Sequence, residues 1–274
     1  MRKERYFIIT TLIVGIITAL PTDKIVFEID SSKISSKTHE DISHFASNLP
    51  SKDTCGKRKA PSFRIAGGIE SDLGVWPWMV ALGYESKNDV NGSVRWMCSG
   101  SLISKQHVLT AGHCEGTRGS IILKIARLGD LNLDSTIDDG LTPLDVPIER
   151  FIKHKEFNST ILTNDIGLVV LKNDITFTRG KPNSSLKQIQ IPVIDMEYCK
   201  WLYESRRVVI DYRNICAGET GKDSCQGDSG SPLMWLKEKQ FYLIGISSYG
   251  LGCGDNPGLY TNVSSYMDWI LENI

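Results

Sequence analysis

The sequence predicts an all-β protein, and three observations lead to this prediction. The chain has 274 residues, which can hold one large domain or two small ones, and a single all-β domain can use most of that length. From Ile65 onward, short apolar runs such as "WPWMVALGY" and "FYLIGISSYG" are separated by Gly, Asn, Asp and Pro. The composition, 41% hydrophobic and 23% charged, is ordinary for a globular protein with a core. Many short strands with frequent turns are typical of a β-barrel or a β-sandwich.

Residues 1–20 are predicted to form a secretory signal peptide. Basic residues at the start of the chain are followed by an apolar run, Tyr6 to Leu20, that is short for a bilayer span. Ala19, just before Pro21, is the best candidate for the cleavage position. A signal anchor is the alternative interpretation, and we expect no other segment to span a membrane.

Residues 21–64 are predicted to be a flexible pro-segment that precedes a domain over residues 65–274. The segment is polar, contains "SSKISS" and the basic stretch "GKRKAPSFR", and shows no sustained periodicity. The far end of the chain differs, because "SSYMDWILENI" has the spacing of an amphipathic helix. We expect Ser264 to cap this helix. Its apolar face is formed by Tyr266, Trp269, Ile270 and Ile274.

The net charge of the chain indicates which binding partners are excluded, and its cysteine content indicates the cellular compartment. The formal net charge is −1, so no field of one sign would recruit nucleic acid or an acidic membrane surface. In a secreted chain, cysteines are expected in disulfides, and the odd number of seven leaves one without an internal partner. The acceptor triplets for N-glycosylation fit the same compartment. They begin at Asn91, Asn158, Asn183 and Asn262.

The stretch "GKDSCQGDSGSPLMW" contains a candidate nucleophile, Ser229. A serine hydroxyl needs a base to take its proton, and the base needs a group to orient it. Among five histidines, His113 in "LTAGHC" lies beside a cysteine that could anchor its loop, and Asp165 in "TNDIGLVVL" precedes an apolar run. Taken singly, these motifs are also compatible with a structural histidine, a turn and a loop. Their combination in the order His, Asp, Ser favours nucleophilic catalysis.

These motifs carry a resemblance to a known family. "RIAGG", "LTAGHC", "NDIGLVVL", "DSCQGDSGSPL", "SSYG" and "PGLY" resemble the motifs of trypsin-like serine proteases of the chymotrypsin family. The resemblance covers nearly all of residues 55–274 and is greatest to arthropod clip-type and venom serine proteases, although residues 21–64 lack the six-cysteine clip module. It implies two antiparallel six-stranded β-barrels, a C-terminal helix, and a site between the barrels.

The resemblance also implies a role for each site residue. Ser229 would attack the substrate carbonyl, His113 would take and return the proton, and Asp165 would orient the imidazole. The backbone N–H groups of Gly227 and Ser229 would form the oxyanion hole.

The specificity pocket would select an arginine or lysine side chain. Asp223 corresponds to the charged base of the pocket, and a solvated loop acid is the alternative interpretation of this residue. The pocket walls would be formed by Ser248 to Gly250 and by Gly258.

The motif "RIAGG" implies activation by cleavage. A cut after Arg64 would free the ammonium group of Ile65, which would pair with the buried carboxylate of Asp228 and order the pocket. The uncut chain would then be an inactive zymogen, and Arg64 implies an activating protease that is itself trypsin-like.

The disulfides that the resemblance implies leave Cys55 without a partner. The cysteine that it would pair with in relatives lies in a segment that this chain is predicted to lack. The pairs are Cys98–Cys114, Cys199–Cys216 and Cys225–Cys253. In relatives, a cysteine in the position of Cys55 bonds to one in the linker between the barrels, but this chain has no cysteine between Cys114 and Cys199. We predict a deletion of about thirty residues between Arg179 and Gly180, enough for a linker and a strand. The second barrel would therefore be incomplete.

The expected function is that of a secreted serine endopeptidase, made as a zymogen, in an arthropod immune, clotting or venom context. Its partners would be protein substrates with Arg or Lys at the cleavage site, the activating protease, and serpin-type inhibitors. No cofactor is required. Calcium could bind the Asp130–Asp139 loop, for which a solvated acidic loop is the alternative. The alternative function is a catalytically impaired homologue or isoform that acts as a binding cofactor or decoy.

Overall fold

The structure is a computed structural model in which strands dominate. It describes residues 49, 76–88, 92–116, 121–130, 133, 142–175, 189–220, 228–237, 240–252 and 256–274, together with the strand backbone of 6–11, 69–70 and 187–188. The predicted activation junction and the predicted deletion lie outside these residues. No helix in this part of the chain is long and apolar enough to cross a membrane.

The described strands are numbered in chain order. They are β1 (Tyr6–Thr11), β2 (Ile69–Glu70), β3 (Met79–Ser86), β4 (Arg95–Leu102), β5 (His107–Thr110), β6 (Ile121–Leu128), β7 (Leu144–Lys153), β8 (Gly167–Leu171), β9 (Lys187–Pro192), β10 (Asn214–Ala217), β11 (Pro232–Lys237), β12 (Gln240–Tyr249) and β13 (Gly258–Asn262). The helices are α1 (Met196–Leu202) and α2 (Met267–Glu272), with 3₁₀ helices at Gly112–Glu115 and Val263–Tyr266.

Strands β3 to β8 form a closed barrel. Its order is β3-β4-β5-β8-β7-β6, and β6 pairs with β3 to close it. Strand β8 consists of the apolar sequence GLVVL, and all five of its residues are buried. Val80, Leu82, Val108 and Leu168 are completely buried in the barrel core. Because apolar side chains that leave water supply the main driving force for folding, this core is the principal stabilising element of the first half.

The second unit is a seven-stranded antiparallel sheet in the order β10-β13-β12-β11-β1-β9-β2. Its buried side chains include Ile189, Ile191, Leu233 and Phe241. The all-β, chymotrypsin-like fold is thus confirmed. The second unit differs in detail from the implied six-stranded barrel, because β1 comes from the N-terminal region and β2 extends the sheet beyond β9.

The C-terminal helix is present where the apolar spacing predicts it, but its start is different. The chain first forms the 3₁₀ helix Val263–Tyr266 and then continues as α2, in which Ile270 is completely buried. The prediction that Ser264 caps the helix is wrong. Its hydroxyl donates to the side-chain oxygen of Asn262, and α2 begins after Tyr266 without a side-chain cap.

Candidate functional site

His113 lies in the 3₁₀ helix Gly112–Glu115, directly after β5. Its neighbour Cys114 is buried and forms a disulfide with Cys98 of β4. The carbonyl of Cys114 also accepts a hydrogen bond from the buried hydroxyl of Tyr84, and burial raises the pKa of that phenol. A disulfide and a buried hydrogen bond therefore hold the short helix, while the His113 side chain remains 30% exposed.

Asp165 lies at a tight turn that ends in β8. The backbone N–H of Ile166 donates to the carbonyl of Asn164 at 2.9 Å, and Asn164 has a positive φ of 54°. The side-chain oxygen of Asn164 accepts from Arg213 and from the hydroxyl of Tyr266, each at 3.0 Å. Burial raises the pKa of Tyr266 to about 12, so its hydroxyl remains a donor at neutral pH. Asparagine tolerates the left-handed region better than most residues, and these bonds hold it there.

The carboxylate of Asp165 contacts His113 twice. One oxygen accepts the backbone N–H of His113 at 2.8 Å, and the other lies 2.8 Å from the ring nitrogen Nδ1. The second oxygen also accepts the hydroxyl of Ser248 at 2.6 Å. Asp165 is only 1% exposed. Because a buried carboxylate is costly unless it is hydrogen-bonded, these three donors explain how the charge is accommodated.

Ser229 lies in the turn that leads into β11. It is half-buried, between the buried residues Asp228 and Gly230. Its carbonyl accepts the backbone N–H of Ser99 at 2.8 Å, and the N–H of Gly230 donates to the carbonyl of Ser247 at 2.9 Å. The turn therefore joins β4 of the barrel to β12 of the second sheet.

Gly230 has no room for a side chain. Its φ is +82°, and a Cβ would lie 2.2 Å from both the carbonyl oxygen of Ser99 and the hydroxyl of Thr110. The Thr110 hydroxyl donates to that same carbonyl at 2.7 Å. A positive φ and close backbone approach are the two conditions that require glycine.

Hydrogen bonds and a disulfide connect the segments that carry His113, Asp165 and Ser229. Asp165 forms a hydrogen bond with the His113 ring. The carbonyl of Ser229 accepts a backbone hydrogen bond from Ser99 of β4, the strand that is joined to the His113 helix by the Cys98–Cys114 disulfide. His113 and Asp165 come from the barrel, whereas Ser229 precedes a strand of the second sheet. The candidate site therefore lies at the junction of the two units.

Other predicted site residues are only partly described. Gly250 directly follows β12, and Gly258 is buried at the start of β13. Ser248, predicted as a pocket wall, uses its hydroxyl to donate to Asp165. Cys199 is bonded to Cys216. The remaining predicted residues lie outside the described part of the chain: Cys55, Arg64, Ile65, Arg179, Gly180, Asp223, Cys225, Gly227 and Cys253.

Two groups of residues are candidate metal sites, and the described residues exclude only the first. In the described residues, ligand atoms of Cys98, His113 and Cys114 lie within 4.8 Å of one another, but the two sulfurs are joined in a disulfide and offer no thiolate. In the predicted Asp130–Asp139 calcium loop, Asp130 accepts a hydrogen bond from Arg127 at 3.2 Å. Asp138 and Asp139 are outside the described residues, so calcium binding stays a prediction.

The polar residues that surround Asp165 are not predicted by the sequence. The Thr261 hydroxyl of β13 donates to the Asp165 carbonyl at 2.7 Å, in addition to the bond from Ser248 of β12. A serine and a threonine in strands more than eighty residues away give no local signal. The asparagine before Asp165 did indicate a turn, but not that its side chain would bind Arg213 and Tyr266.

Comparison with known proteins agrees with this geometry. The family model described as Trypsin matches residues 65–182 and 176–270. A venom serine protease of Bombus ignitus is 35% identical, over 78% of this chain and 69% of its own length. A proclotting enzyme of Tachypleus tridentatus is 33% identical, over 83% of this chain and 70% of its own length. Phenoloxidase-activating factor 3 of Holotrichia diomphalia is 34% identical, over 84% and 77%. The chain therefore belongs to the trypsin family of serine endopeptidases.

Proposed function

We propose that this protein is a secreted endopeptidase, made as a zymogen, that hydrolyses peptide bonds after Arg or Lys through an acyl-enzyme. The observation that carries the catalytic part of the proposal is the buried Asp165 carboxylate with two hydrogen bonds to His113. With Nδ1–H donating to Asp165, the other ring nitrogen, Nε2, carries a lone pair and can accept a proton.

The proposed reaction has two halves. The Ser229 oxygen bonds to the substrate carbonyl carbon while its proton passes to Nε2 of His113, and the N–H groups of Gly227 and Ser229 stabilise the oxyanion. The C–N bond then breaks, and His113 gives its proton to the departing amine. A water molecule, deprotonated by His113, attacks the acyl carbon, the bond from that carbon to the Ser229 oxygen breaks, and His113 returns its proton to this oxygen as the carboxylic acid leaves. Asp165 stabilises the imidazolium in both halves.

Serine-directed labelling tests the catalytic assignment. After treatment with trypsin, the protein should react with a fluorophosphonate probe, whereas the Ser229→Ala variant should not. Ser264→Ala is a matched control, because Ser264 is exposed and its hydroxyl donates to its local neighbour Asn262. Equal labelling of the native chain and the Ser229→Ala variant would refute the assignment of the nucleophile.

We propose that Asp223 gives the pocket its preference for basic side chains. A carboxylate at the pocket base would pair with a substrate guanidinium or ammonium group. In the Asp223→Ser variant, the ratio of kcat/KM for an Arg substrate to that for a Leu substrate should fall sharply. An unchanged ratio would show that another residue sets the specificity.

We propose that cleavage after Arg64 switches the protein on through a pair between Ile65 and Asp228. Asp228 is completely buried, and a buried carboxylate favours a cationic partner. The Arg64→Gln chain should remain inactive after exposure to trypsin, with the Arg64–Ile65 bond intact on N-terminal sequencing. Full activity without a new Ile65 terminus would exclude this switch.

We propose that the protein is extracellular and acts in an arthropod immune, clotting or venom cascade, where a trypsin-like protease would activate it and serpin-type inhibitors would regulate it. Support comes from the names of the relatives and from the predicted signal peptide. The predicted acceptor Asn158 is exposed, whereas Asn262 uses its amide group to donate to Tyr212 at 2.9 Å. Glycosidase treatment of secreted protein should therefore remove a glycan from Asn158 more readily than from Asn262.

A specific observation supports the alternative of a catalytically impaired decoy. The family model matches two segments, 65–182 and 176–270, that overlap at residues 176–182. This overlap includes the position of the predicted deletion between Arg179 and Gly180. A decoy would bind inhibitors or substrates without turnover. Absence of fluorophosphonate labelling, in protein that is correctly cleaved at Arg64, would favour this alternative.

A further inference from the structure

Strand β1 lies inside the second sheet, although it comes from the N-terminal end of the chain. All six of its residues have Cα partners in β9, from Tyr6 opposite Pro192 to Thr11 opposite Lys187. On its other side, Ile8 and Ile9 are opposite Met234 and Leu233 of β11. The strand is therefore hydrogen-bonded between two others rather than added at an edge.

Strand β9 depends on β1 for its place in the sheet. Its other strand partner is β2, which contributes only Ile69 and Glu70. Further backbone contacts with β10 lie at the end of β9 and beyond it, including the Val193–Ala217 bridge and the Gly218 N–H bond to Pro192. Without β1, the facing edges of β9 and β11 would present unpaired backbone groups along a space that is one strand wide.

Several residues of the two flanking strands are apolar and deeply buried, and they alternate in β9 with the polar residues Lys187, Gln188 and Gln190. Ile189 and Ile191 of β9 are 2% and 0% exposed, and Leu233 and Met234 of β11 are each 0% exposed. An occupant should therefore be an extended, uncharged peptide with strong β-propensity. The segment Tyr6–Thr11 reads YFIITT, in which every residue is aromatic or β-branched and none is charged.

The space also lies close to the candidate nucleophile. Strand β11 begins at Pro232, directly after the turn that contains Ser229. Within that turn, the N–H of Ser231 donates to the carbonyl of Asp228, and the carbonyl of Ser231 accepts from Ser247. A strand that pairs with β11 therefore restrains the segment that carries Ser229.

From this arrangement we propose that the space between β9 and β11 is a strand-acceptor site and that its occupant is the chain's own segment, residues 6–11. Occupancy completes the second sheet and steadies the Ser229 turn. The predicted signal peptide, residues 1–20, contains the whole of β1, so the site is filled in the full 274-residue chain and empty in the secreted endopeptidase proposed above, from which these residues are removed. Processing at the N-terminus is thereby coupled to the order of the second sheet. The principle is that of β-augmentation, in which main-chain hydrogen bonds supply affinity and apolar pockets supply specificity.

A cysteine pair tests the register of the strand in the full 274-residue chain, refolded from denaturant in a thiol–disulfide buffer so that no residues are removed. Directly opposed residues in antiparallel strands have Cα atoms about 4.5 to 5.5 Å apart, within the reach of a disulfide. Ile8 is opposite Gln190, so Ile8→Cys with Gln190→Cys should give a cross-linked peptide pair by mass spectrometry.

The matched control places the second cysteine out of register. In Ile8→Cys with Gln188→Cys, the second cysteine is two residues away along β9, a diagonal of about 7 to 8 Å that a disulfide does not span well. We expect the first pair to cross-link in most molecules and the control in few. Equal yields, or no cross-link in either variant, would overturn the proposal.

Hydrogen exchange tests occupancy by a route that is independent of catalysis. A proline within β1 removes a ladder hydrogen bond, so in Ile8→Pro the amides of β9 and β11 should exchange about tenfold faster or more. Val14→Pro, beyond the end of β1, should leave their exchange unchanged. Slow exchange of β3 in every variant shows that the barrel remains folded.

A synthetic peptide provides a rescue experiment. Residues 4–13, added to the Ile8→Pro chain, should restore slow exchange in β9 and β11, whereas the same peptide with proline at position 8 should not. Unchanged exchange in the Ile8→Pro chain, or no rescue by the native peptide, would overturn the strand-acceptor site. Neither result would affect the proposed preference for Arg or Lys.

Discussion

The barrel and the second sheet obtain their order in different ways. In the barrel, β6 pairs with β3 and every strand has two neighbours within 93 consecutive residue positions of the sequence, from Met79 to Leu171. The second sheet takes one internal strand, β1, from residues 6–11 and its remaining strands from as far away as Asn262. Closure removes sheet edges, whereas an open sheet must pair or cover them. The barrel is therefore the more self-sufficient half.

Because of this difference, one part of the candidate site belongs to the closed barrel, and the other part depends on the second sheet. His113 and Asp165 belong to the barrel and are held by a disulfide, a buried tyrosine and a network around Asn164. Ser229 depends on the strand that follows it and on contacts across the junction. We therefore expect the position of Ser229 to be more sensitive to changes in the second sheet than the positions of His113 and Asp165.

The largest expected effect comes from the barrel half of the site. We predict that Asp165→Asn abolishes most turnover, because an amide would favour the wrong tautomer of His113. In serine proteases the same substitution lowers kcat by about 10⁴-fold. Steady-state hydrolysis of an Arg substrate by the activated protein measures this loss. Asp174→Asn is the control, since Asp174 is exposed in the same barrel. Comparable activity of both variants would contradict the role of Asp165.

The next effect should come from the junction. Gly230→Ala places a methyl group against Ser99 and Thr110 at a positive φ, so we expect the free energy of unfolding to fall by about 3 kcal/mol. Gly129→Ala is the control, because Gly129 has a φ of +72° but open space around it. It should cost about 1 to 2 kcal/mol from backbone strain alone. Chemical denaturation measures both values, and equal losses would mean that the junction is loosely packed.

A smaller effect on kcat is expected when the hydrogen bond from Ser248 of the second sheet to Asp165 is removed. Ser248→Ala removes one of three donors to that carboxylate, and we predict that kcat falls about tenfold. Rescue of activity by Ser248→Thr, which retains the hydroxyl, would separate this bond from packing. If Ser248→Ala retains full kcat, the two donors from His113 are sufficient to hold Asp165.

The smallest effect concerns His154, whose ring packs against Tyr266 and Trp269 and so links the barrel to the C-terminal helix. Burial lowers its pKa below the ordinary 6.5, and Lys155 and Arg213 lower it further while Glu156 opposes them. The unfolded chain therefore binds a proton more readily than the folded chain. Stability from this residue should be present above pH 6.5 and decline as the pH falls below that value. His154→Gln should show a weaker decline in thermal stability between pH 7 and pH 5, and an identical decline would exclude this contribution.

Local sequence predicted much of the fold, and its motifs gave the candidate site residues, whose roles stay predictions. Apolar alternation and turn residues predicted strands, and the spacing of Trp269 and Ile270 predicted a C-terminal helix. The predicted start of that helix was wrong, because the Ser264 hydroxyl donates a hydrogen bond to the Asn262 side chain and the first turn is a 3₁₀ helix. A cap depends on local backbone angles that the residue type does not determine.

Sequence alone determined the order in which His113, Asp165 and Ser229 appear, from which their catalytic roles are predicted. It also determined that the segment YFIITT is both apolar and suited to a strand. Only the tertiary structure decided that this segment lies between β9 and β11, and that Ser248 and Thr261 bond to Asp165. The physical reason is that sheet pairing and buried hydrogen bonds join residues far apart in the chain. Their partners are selected by which edges and which buried charges remain to be satisfied, and this is a property of the whole folded molecule.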